Sequence, residues 1–179
     1  MDDRFRDVLP WRWLLPSLLL LLGLGVWGAS VYPELPEQVP QRITAGGAVD
    51  EYATRSVGSV FLPVFVYAGV TAVLIATSIG MAGMRTEEEL PPGEGLTGLV
   101  NRPADRTAVR RMAKALLLLN FCVGLTIAVT CTATWRPGGL DHVPGWFLAP
   151  VLAPSAVGTA VLLVVAVREQ SRARPGRSR

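Results

Sequence analysis

Residues 32–56 read YPELPEQVPQRITAGGAVDEYATRS and form a polar segment between two long apolar runs. The first half of this segment carries three prolines, at positions 33, 36 and 40. Because proline fixes φ and has no backbone donor, this half is predicted to be extended rather than helical. Gly46-Gly47 then allows a sharp reversal of the chain. The segment therefore predicts a structured loop that joins two helical spans.

The same loop contains apolar side chains that are not expected to remain in water, at Leu35, Val39 and Ile43. We expect them to pack back against the mouth of a helix bundle or against the membrane interface. Asp50 is a candidate N-cap for the next helix, with Glu51 in the first turn. This interpretation starts the second helix before it enters the membrane.

The runs beside the loop are long enough to cross a bilayer. Half of the 179 residues are hydrophobic and only 17% are charged, which is unusual for a soluble domain. Four runs without Asp, Glu, Lys or Arg cover residues 13–33, 56–84, 115–135 and 142–167. A hydrocarbon core about 30 Å thick requires about 20 such residues as a helix. The sequence predicts an all-α fold, a four-span transmembrane helix bundle.

The two outermost runs need separate interpretation. Residues 28–30, Gly-Ala-Ser, suit the cleavage point of a signal peptide, but such a peptide has an apolar core of about 7–15 residues. The first run has 21 residues, so we interpret it as an uncleaved anchor. In the fourth run, Pro144, Pro150 and Pro154 predict a helix that begins late or is kinked.

The basic residues predict the orientation of the spans. Arginine and lysine total 17, and fourteen of them lie before the first run, between the second and third, or after the fourth. Basic residues near span ends stay in the cytoplasm, so both termini are predicted to be cytoplasmic. The predicted organisation is a cytoplasmic N-terminus, 1–12; a two-span module, 13–84, with an outer loop at 32–56; a cytoplasmic basic connector, 85–114; a second helical hairpin, 115–167, with a short outer loop at 136–142; and a basic cytoplasmic tail, 168–179.

The connector ends in a basic stripe at four-residue spacing: Arg102, Arg106, Arg110 and Lys114. Because the stripe adjoins a span, we expect it to meet anionic lipid headgroups, and no nucleic-acid partner is predicted. The glycines at 93, 95 and 98 form a GxGxxG pattern. Dinucleotide binding would require a preceding strand and a following helix. Here the pattern follows two prolines and three glutamates, so a flexible connector is predicted.

Two series of small or polar side chains predict helix packing. Ala68, Ala72, Ala76 and Gly80 recur every fourth residue in the second run, as do Thr126 and Thr130 in the third. Such series let helix backbones approach closely in lipid. Asn120 is the one strongly polar side chain of the third run. We expect it to bond to a neighbouring helix; a role in transport is the alternative.

The sequence indicates no catalytic constellation. The apolar runs contain no charged residue, whereas proton and ion pumps generally place an ionisable group in the membrane. Cys122 and Cys131 are nine residues apart and lie on opposite faces of one helix, so they form no metal pair. We predict no enzymatic activity, no cofactor and no metal site.

The outer loop resembles a known family. The residues that carry the resemblance are Tyr32-Pro33, Leu35-Pro36, Val39-Pro40, Gly47, Asp50, Tyr52 and Arg55. They resemble the module called domain of unknown function 1648, which is a span, an extracellular proline-rich loop and a second span. The module stands at the N-terminus of Sdp-type toxin-immunity membrane proteins, and the resemblance extends over roughly residues 14–80. It implies a protein of the bacterial cell membrane.

The resemblance also implies a function for the outer loop, as an immunity or sensing surface that meets a secreted peptide. The contact residues that it implies are Tyr32, Leu35, Pro36, Arg42, Asp50 and Tyr52. Arg42 stands where the family usually has a histidine. Loops positioned by a rigid scaffold often carry binding. The alternatives are a structural or accessory subunit that packs on a membrane-protein partner, and a small transporter.

The charge distribution makes a topological prediction. A reporter fused at Arg179 should be inaccessible from outside intact cells, because the tail carries five arginines that resist translocation. A membrane-impermeant label applied to intact and to lysed cells measures this accessibility. Labelling of the fusion in intact cells would contradict the predicted orientation.

Overall fold

The structure is a computed structural model that describes residues 11–44, 46–83, 105–138 and 142–172. These residues form four long helices: α1, Trp11–Val31; α2, Val57–Gly83; α3, Arg106–Thr134; and α4, Leu148–Arg172. Two strands lie between α1 and α2: β1, Gln38–Ile43, and β2, Val49–Thr54. All four helices are long and apolar enough to cross a membrane. The predicted four-span helical fold is confirmed, and the chain is a multi-pass membrane protein.

The ends of the helices follow local chemistry. α3 begins nine residues before its apolar run, because the carboxylate of Asp105 accepts a hydrogen bond from the backbone N–H of Ala108 and caps the first turn. α4 begins at Leu148, after a 3-10 turn at Gly145–Phe147. Pro150 lies in the first turn of α4, where proline is tolerated, and Pro154 lies inside the helix. The prediction of a late start for the fourth helix is confirmed.

α3 is the central helix and packs against α1, α2 and α4, most extensively against α4. Two glycines allow these close contacts. A Cβ at Gly124 of α3 would lie 2.4 Å from the hydroxyl oxygen of Tyr67 on α2. A Cβ at Gly158 of α4 would lie 2.9 Å from the Cβ of Cys122 on α3. α2 therefore approaches α3 at a glycine of α3, and α4 approaches α3 through a glycine of its own.

The face of α2 that packs against the other helices is not the predicted stripe of small residues. Its buried side chains include Val60, Val64, Tyr67 and Thr71. In contrast, Ala68 is half-buried, and the remaining members of the predicted stripe are exposed: Ala72, Ala76 and Gly80. Larger side chains fill the interface because Gly124 leaves room for the ring of Tyr67.

Polar side chains connect α3 to both of its neighbours. Asn120 is fully buried, and its Oδ1 accepts a hydrogen bond of 3.1 Å from Thr71 Oγ1 of α2. Thr126 Oγ1 lies 2.7 Å from Ser155 Oγ of α4. Thr130 instead donates to the carbonyl oxygen of Thr126 in its own helix, at 3.0 Å. Interhelical bonds of this kind add to packing where lipid supplies no hydrophobic drive for association.

An apolar cluster joins the hairpin to the helices. Its buried side chains come from α1, the loop and β1, α2, and the end of α3: Leu24, Leu35, Val39, Val60, Val64, Tyr67, Cys131 and Trp135. Trp135 is 4% exposed, and its Nε1 donates to the carbonyl oxygen of Val60 at 3.1 Å. Its ring lies 5.0 Å from that of Trp27, edge to face. The prediction that apolar loop residues pack against the mouth of the bundle is confirmed for Leu35 and Val39, whereas Ile43 is half-buried and lies outside this cluster.

The contact at Gly124 predicts a selective effect of adding one methyl group. Gly124→Ala should lower the stability of the purified protein by about 1–3 kcal/mol, because the added carbon overlaps Tyr67. Gly69→Ala is the matched control, since a Cβ there meets nothing within 4 Å. Thermal unfolding in a mild detergent measures both. Equal transition temperatures for the two variants would contradict this account of the α2–α3 contact.

Candidate functional site

The loop between α1 and α2 is a β-hairpin. β1 and β2 are antiparallel, with Val39 opposite Ala53 and Pro40 opposite Tyr52, and the register shifts on either side of Arg42. The strands were not predicted. The expectation that the first half of the loop is extended holds for β1 but is wrong for Tyr32–Glu34, which form a 3-10 turn. Proline is compatible with β1 because a strand at the edge of a sheet leaves alternate N–H groups unpaired.

The predicted N-cap at Asp50 is wrong, because Asp50 and Glu51 lie in β2 and α2 begins only at Val57. The cap is supplied by two serines. The N–H of Ser59 donates to Ser56 Oγ at 3.1 Å, and the N–H of Ser56 donates to Ser59 Oγ at 2.9 Å. This reciprocal pair satisfies two backbone donors at the start of α2. Pairing with β1 holds the backbone of Asp50 extended and thereby excludes a helix there.

The tip of the hairpin is fixed to the segment that precedes α4. Ala48 forms an antiparallel bridge with His142, and the N–H of Val143 donates to the carbonyl oxygen of Gly47 at 2.7 Å. Gly47 has a φ of +84°, and a Cβ there would lie 1.8 Å from the carbonyl oxygen of Val143. Only glycine fits this position. We call the hairpin together with residues 142–147 the hairpin end.

Arg55 holds the proline-rich start of the loop. Its guanidinium donates to the carbonyl oxygens of Pro33, at 3.3 Å, and of Leu35. The same group lies 5.7 Å from the centroid of the Tyr32 ring, in a cation–π contact. Its backbone N–H donates to the carbonyl oxygen of Glu37 at 2.7 Å. Arg55 thus supplies donors beside prolines that have none, a role that its position in the sequence alone did not indicate.

A cavity of about 210 Å³ opens between the hairpin, α3 and the start of α4. Its lining combines apolar and hydroxyl side chains, including Ile43, Thr130, Thr134, Phe147 and Val151. Thr130, which was predicted to be a packing residue, therefore also faces a space beside the hairpin. Such a lining suits an apolar group that carries one or two polar atoms.

The predicted contact residues lie in two layers. Arg42, Asp50 and Tyr52 are exposed on the hairpin. Arg42 Nε lies 3.9 Å from Glu51 Oε2, and both side chains are more than half exposed. Beneath the hairpin, Leu35 is buried, and Tyr32 and Pro36 are half-buried. The inner three support the hairpin, and the outer three are accessible to a ligand.

The surface of the loop is acidic. Residues 32–56 contain four carboxylates and two arginines. All four carboxylate residues are exposed: Glu34, Glu37, Asp50 and Glu51. Since the Arg55 guanidinium is turned towards backbone carbonyls and Arg42 lies beside Glu51, the exposed face favours a positively charged ligand.

The opposite end of the bundle is basic. Arg106, Arg110 and Lys114 lie along the first turns of α3, and Lys114 Nζ is 5.9 Å from the centroid of the Trp13 ring. Arg102 and the GxGxxG pattern lie outside the described residues. We call the starts of α1 and α3, with the end of α4, the basic end.

The hairpin and parts of its two flanking helices are similar to a known family. Residues 18–66 match the family described as domain of unknown function 1648. The match extends from α1 through the hairpin into the first half of α2, and it confirms the resemblance that the loop residues predicted. Searches of curated proteins and of solved structures found no match.

The tip contact predicts a sharp difference between adjacent glycines. Gly47→Ala should weaken the bond between Gly47 and Val143, because the positive φ costs about 1–3 kcal/mol for other residues and the added carbon overlaps a carbonyl oxygen. Hydrogen exchange of the Val143 amide in the purified protein should become faster. Gly46→Ala is the control, since the atom nearest to its added Cβ is 3.8 Å away. Equal protection of the amide in both variants would contradict the bridge.

Proposed function

We propose that this chain is a binding protein of the bacterial cell membrane whose hairpin end faces outwards and recognises a secreted peptide, in an immunity or sensing role. The observation that supports this most directly is the cavity of about 210 Å³ that opens beside the exposed, acidic hairpin. The match to domain of unknown function 1648 lies over the same hairpin. Binding, rather than catalysis or transport, is the proposed activity.

The size of the cavity favours a peptide side chain over a free small molecule. Small-molecule sites usually enclose about 300–1,000 Å³. A space of about 210 Å³ is smaller, and it suits one large apolar side chain of a longer ligand. Phe147 and Val151 would contact the apolar part, and the hydroxyl groups of Thr130 and Thr134 would bond to a polar atom.

The hairpin supplies a surface for the rest of such a ligand. Each strand of the two-stranded sheet is an edge strand, and Asp50, Glu51 and Tyr52 are exposed along β2. Extended peptides commonly add to the edge of a sheet through backbone hydrogen bonds. The carboxylates at this edge favour a cationic peptide and would speed its association.

The proposal includes the lipid contacts of the basic end. With the hairpin end outside, Arg106, Arg110 and Lys114 would meet anionic headgroups of the cytoplasmic leaflet. A juxtamembrane cation contributes about 1 kcal/mol to such contacts. This arrangement agrees with the predicted orientation of both termini.

An accessory subunit is the second candidate. The observation that favours it is the stripe of Ala72, Ala76 and Gly80, which is exposed along α2 and leaves space for another helix. Transport receives less support, because Asn120 is fully buried and bonded to Thr71. Co-purification of one stoichiometric membrane protein would favour the accessory role.

A protection assay tests the peptide-binding function. The gene is deleted in its host and re-expressed, and the strains are challenged with peptides that the host and its neighbours secrete. We expect the deletion to become sensitive to a cationic peptide, and the intact gene to restore resistance. Unchanged sensitivity across the panel would contradict the proposal and favour the accessory subunit.

Two variants connect this phenotype to the hairpin end. Val151→Phe fills the cavity and should abolish protection, whereas Leu152→Phe, whose residue is 61% exposed and does not line the cavity, should retain it. Replacing Asp50 by Asn together with Glu51 by Gln removes two negative charges, and it should slow the association of the cationic peptide with the protein on the order of tenfold. Immunoblots of the membrane fraction control for protein level. Protection that survives Val151→Phe would exclude the cavity as the binding site.

A further inference from the structure

A larger cavity, of about 410 Å³, opens at the basic end between the start of α1, the start of α3 and the end of α4. We call it the basic crevice. Its charged and aromatic residues lie near the ends of the three helices: Trp13, Arg111, Lys114, Arg168, Glu169 and Arg172. Its apolar residues lie further along α3 and α4, towards the middle of the bundle: Ala115, Leu118, Val161 and Val165.

The charges at the crevice are strongly unequal. Four of its side chains are cationic and one, Glu169, is anionic. Glu169 Oε1 accepts hydrogen bonds from Arg111 Nη1 at 2.9 Å and from Arg172 Nη1 at 2.8 Å. A guanidinium has five N–H donors, so each arginine retains donors for another anion. The Glu169 side chain is 16% exposed, whereas those of Arg111 and Arg172 are 46% and 58% exposed. Glu169 therefore orients two guanidinium groups without neutralising the crevice.

The apolar part of the crevice extends into the span. Val161 precedes Arg168 by seven residues, which is about 10 Å along a helix. Leu118 lies one turn beyond Lys114 in the same direction. On the α1 side the wall is Trp13, which is 45% exposed and contacts Lys114. Tryptophan near the end of a span is typical of the membrane–water interface.

These features identify an amphiphilic ligand. A soluble anion would use the cations but not the apolar side chains of α3 and α4, and a neutral lipid would leave the excess positive charge of the crevice uncompensated. We propose that the basic crevice binds one anionic phospholipid. Its phosphate lies among Lys114, Arg168 and the remaining donors of the two paired arginines, and an acyl chain follows the apolar wall. The volume falls within the range of about 300–1,000 Å³ that is usual for a ligand site.

The site is independent of the proposed peptide binding, since it lies at the opposite end of the bundle from the hairpin. It shares Lys114 with the stripe on α3, but Arg106 and Arg110 do not line it. The stripe would interact electrostatically with many headgroups at the membrane surface. The crevice, in contrast, holds a single lipid through both its headgroup and its acyl chain.

Native mass spectrometry of the full chain in detergent tests the proposal. Phosphatidylglycerol and phosphatidylcholine with the same acyl chains are titrated in parallel. We expect one phosphatidylglycerol to remain bound, and the double variant Lys114→Gln/Arg168→Gln to bind it about thirtyfold more weakly. The matched control, Arg106→Gln/Arg110→Gln, removes two cations from the same end outside the crevice and should retain the bound lipid.

Three results would contradict the proposal that the basic crevice binds an anionic phospholipid. Equal retention of phosphatidylcholine would exclude recognition of the anion. An equal loss in both double variants would show a diffuse basic surface. Displacement by millimolar glycerol 3-phosphate would show that the occupant is a soluble phosphate ester rather than a lipid. Circular dichroism checks that each variant is folded, and Arg168→Gln alone, at an exposed position on α4, serves if the double variant unfolds.

Discussion

Trp135 connects three helices and the hairpin, and the arrangement of the hairpin end depends on its contacts. It lies just after α3, stacks edge to face on Trp27 of α1, and donates its indole N–H to the carbonyl oxygen of Val60 on α2. A Cβ at Gly28 would lie 2.9 Å from its ring, so α1 can approach only where it carries glycine. Buried tryptophan is stable in such a place because its one polar atom has a partner. Leu35 and Val39 belong to the same cluster and thereby anchor the hairpin to the helices.

The two ends of the bundle have opposite chemistry. At the hairpin end, a hairpin with exposed carboxylates lies beside a small cavity of mixed polarity, and its backbone is held by a glycine contact and by Arg55. At the basic end, cations surround a deeper crevice whose wall continues into the apolar span. One end suits a cationic peptide in water, and the other suits an anionic amphiphile from the bilayer. This asymmetry agrees with the sequence, in which fourteen of the 17 arginines and lysines lie before the first apolar run, between the second and third, or after the fourth.

Local sequence patterns predicted some features and missed others for identifiable reasons. Prolines correctly indicated a late start of α4, but the start of the loop is a 3-10 turn at Tyr32–Glu34, where proline is tolerated near the N-terminus, and the chain is extended only from Gln38. The N-cap at Asp50 failed because an acidic residue before an apolar run is also compatible with a strand, and pairing with β1 decided between the two. The predicted packing stripe on α2 is exposed because Tyr67 meets Gly124 from another face, and that complementarity links residues 57 positions apart.

Sequence patterns were sufficient to predict the class of protein, its four candidate spans and the similarity of residues 18–66 to domain of unknown function 1648. Each of these depends on a local property: the length of an apolar run, or the proline, glycine and aspartate pattern of one loop. The positions of the two cavities were not predictable from the sequence. The cavity at the hairpin end requires Ile43, Thr130 and Val151 to meet, and the basic crevice requires Trp13, Lys114 and Arg168 to meet. These groups lie on different elements, and helix packing rather than local periodicity brings them together.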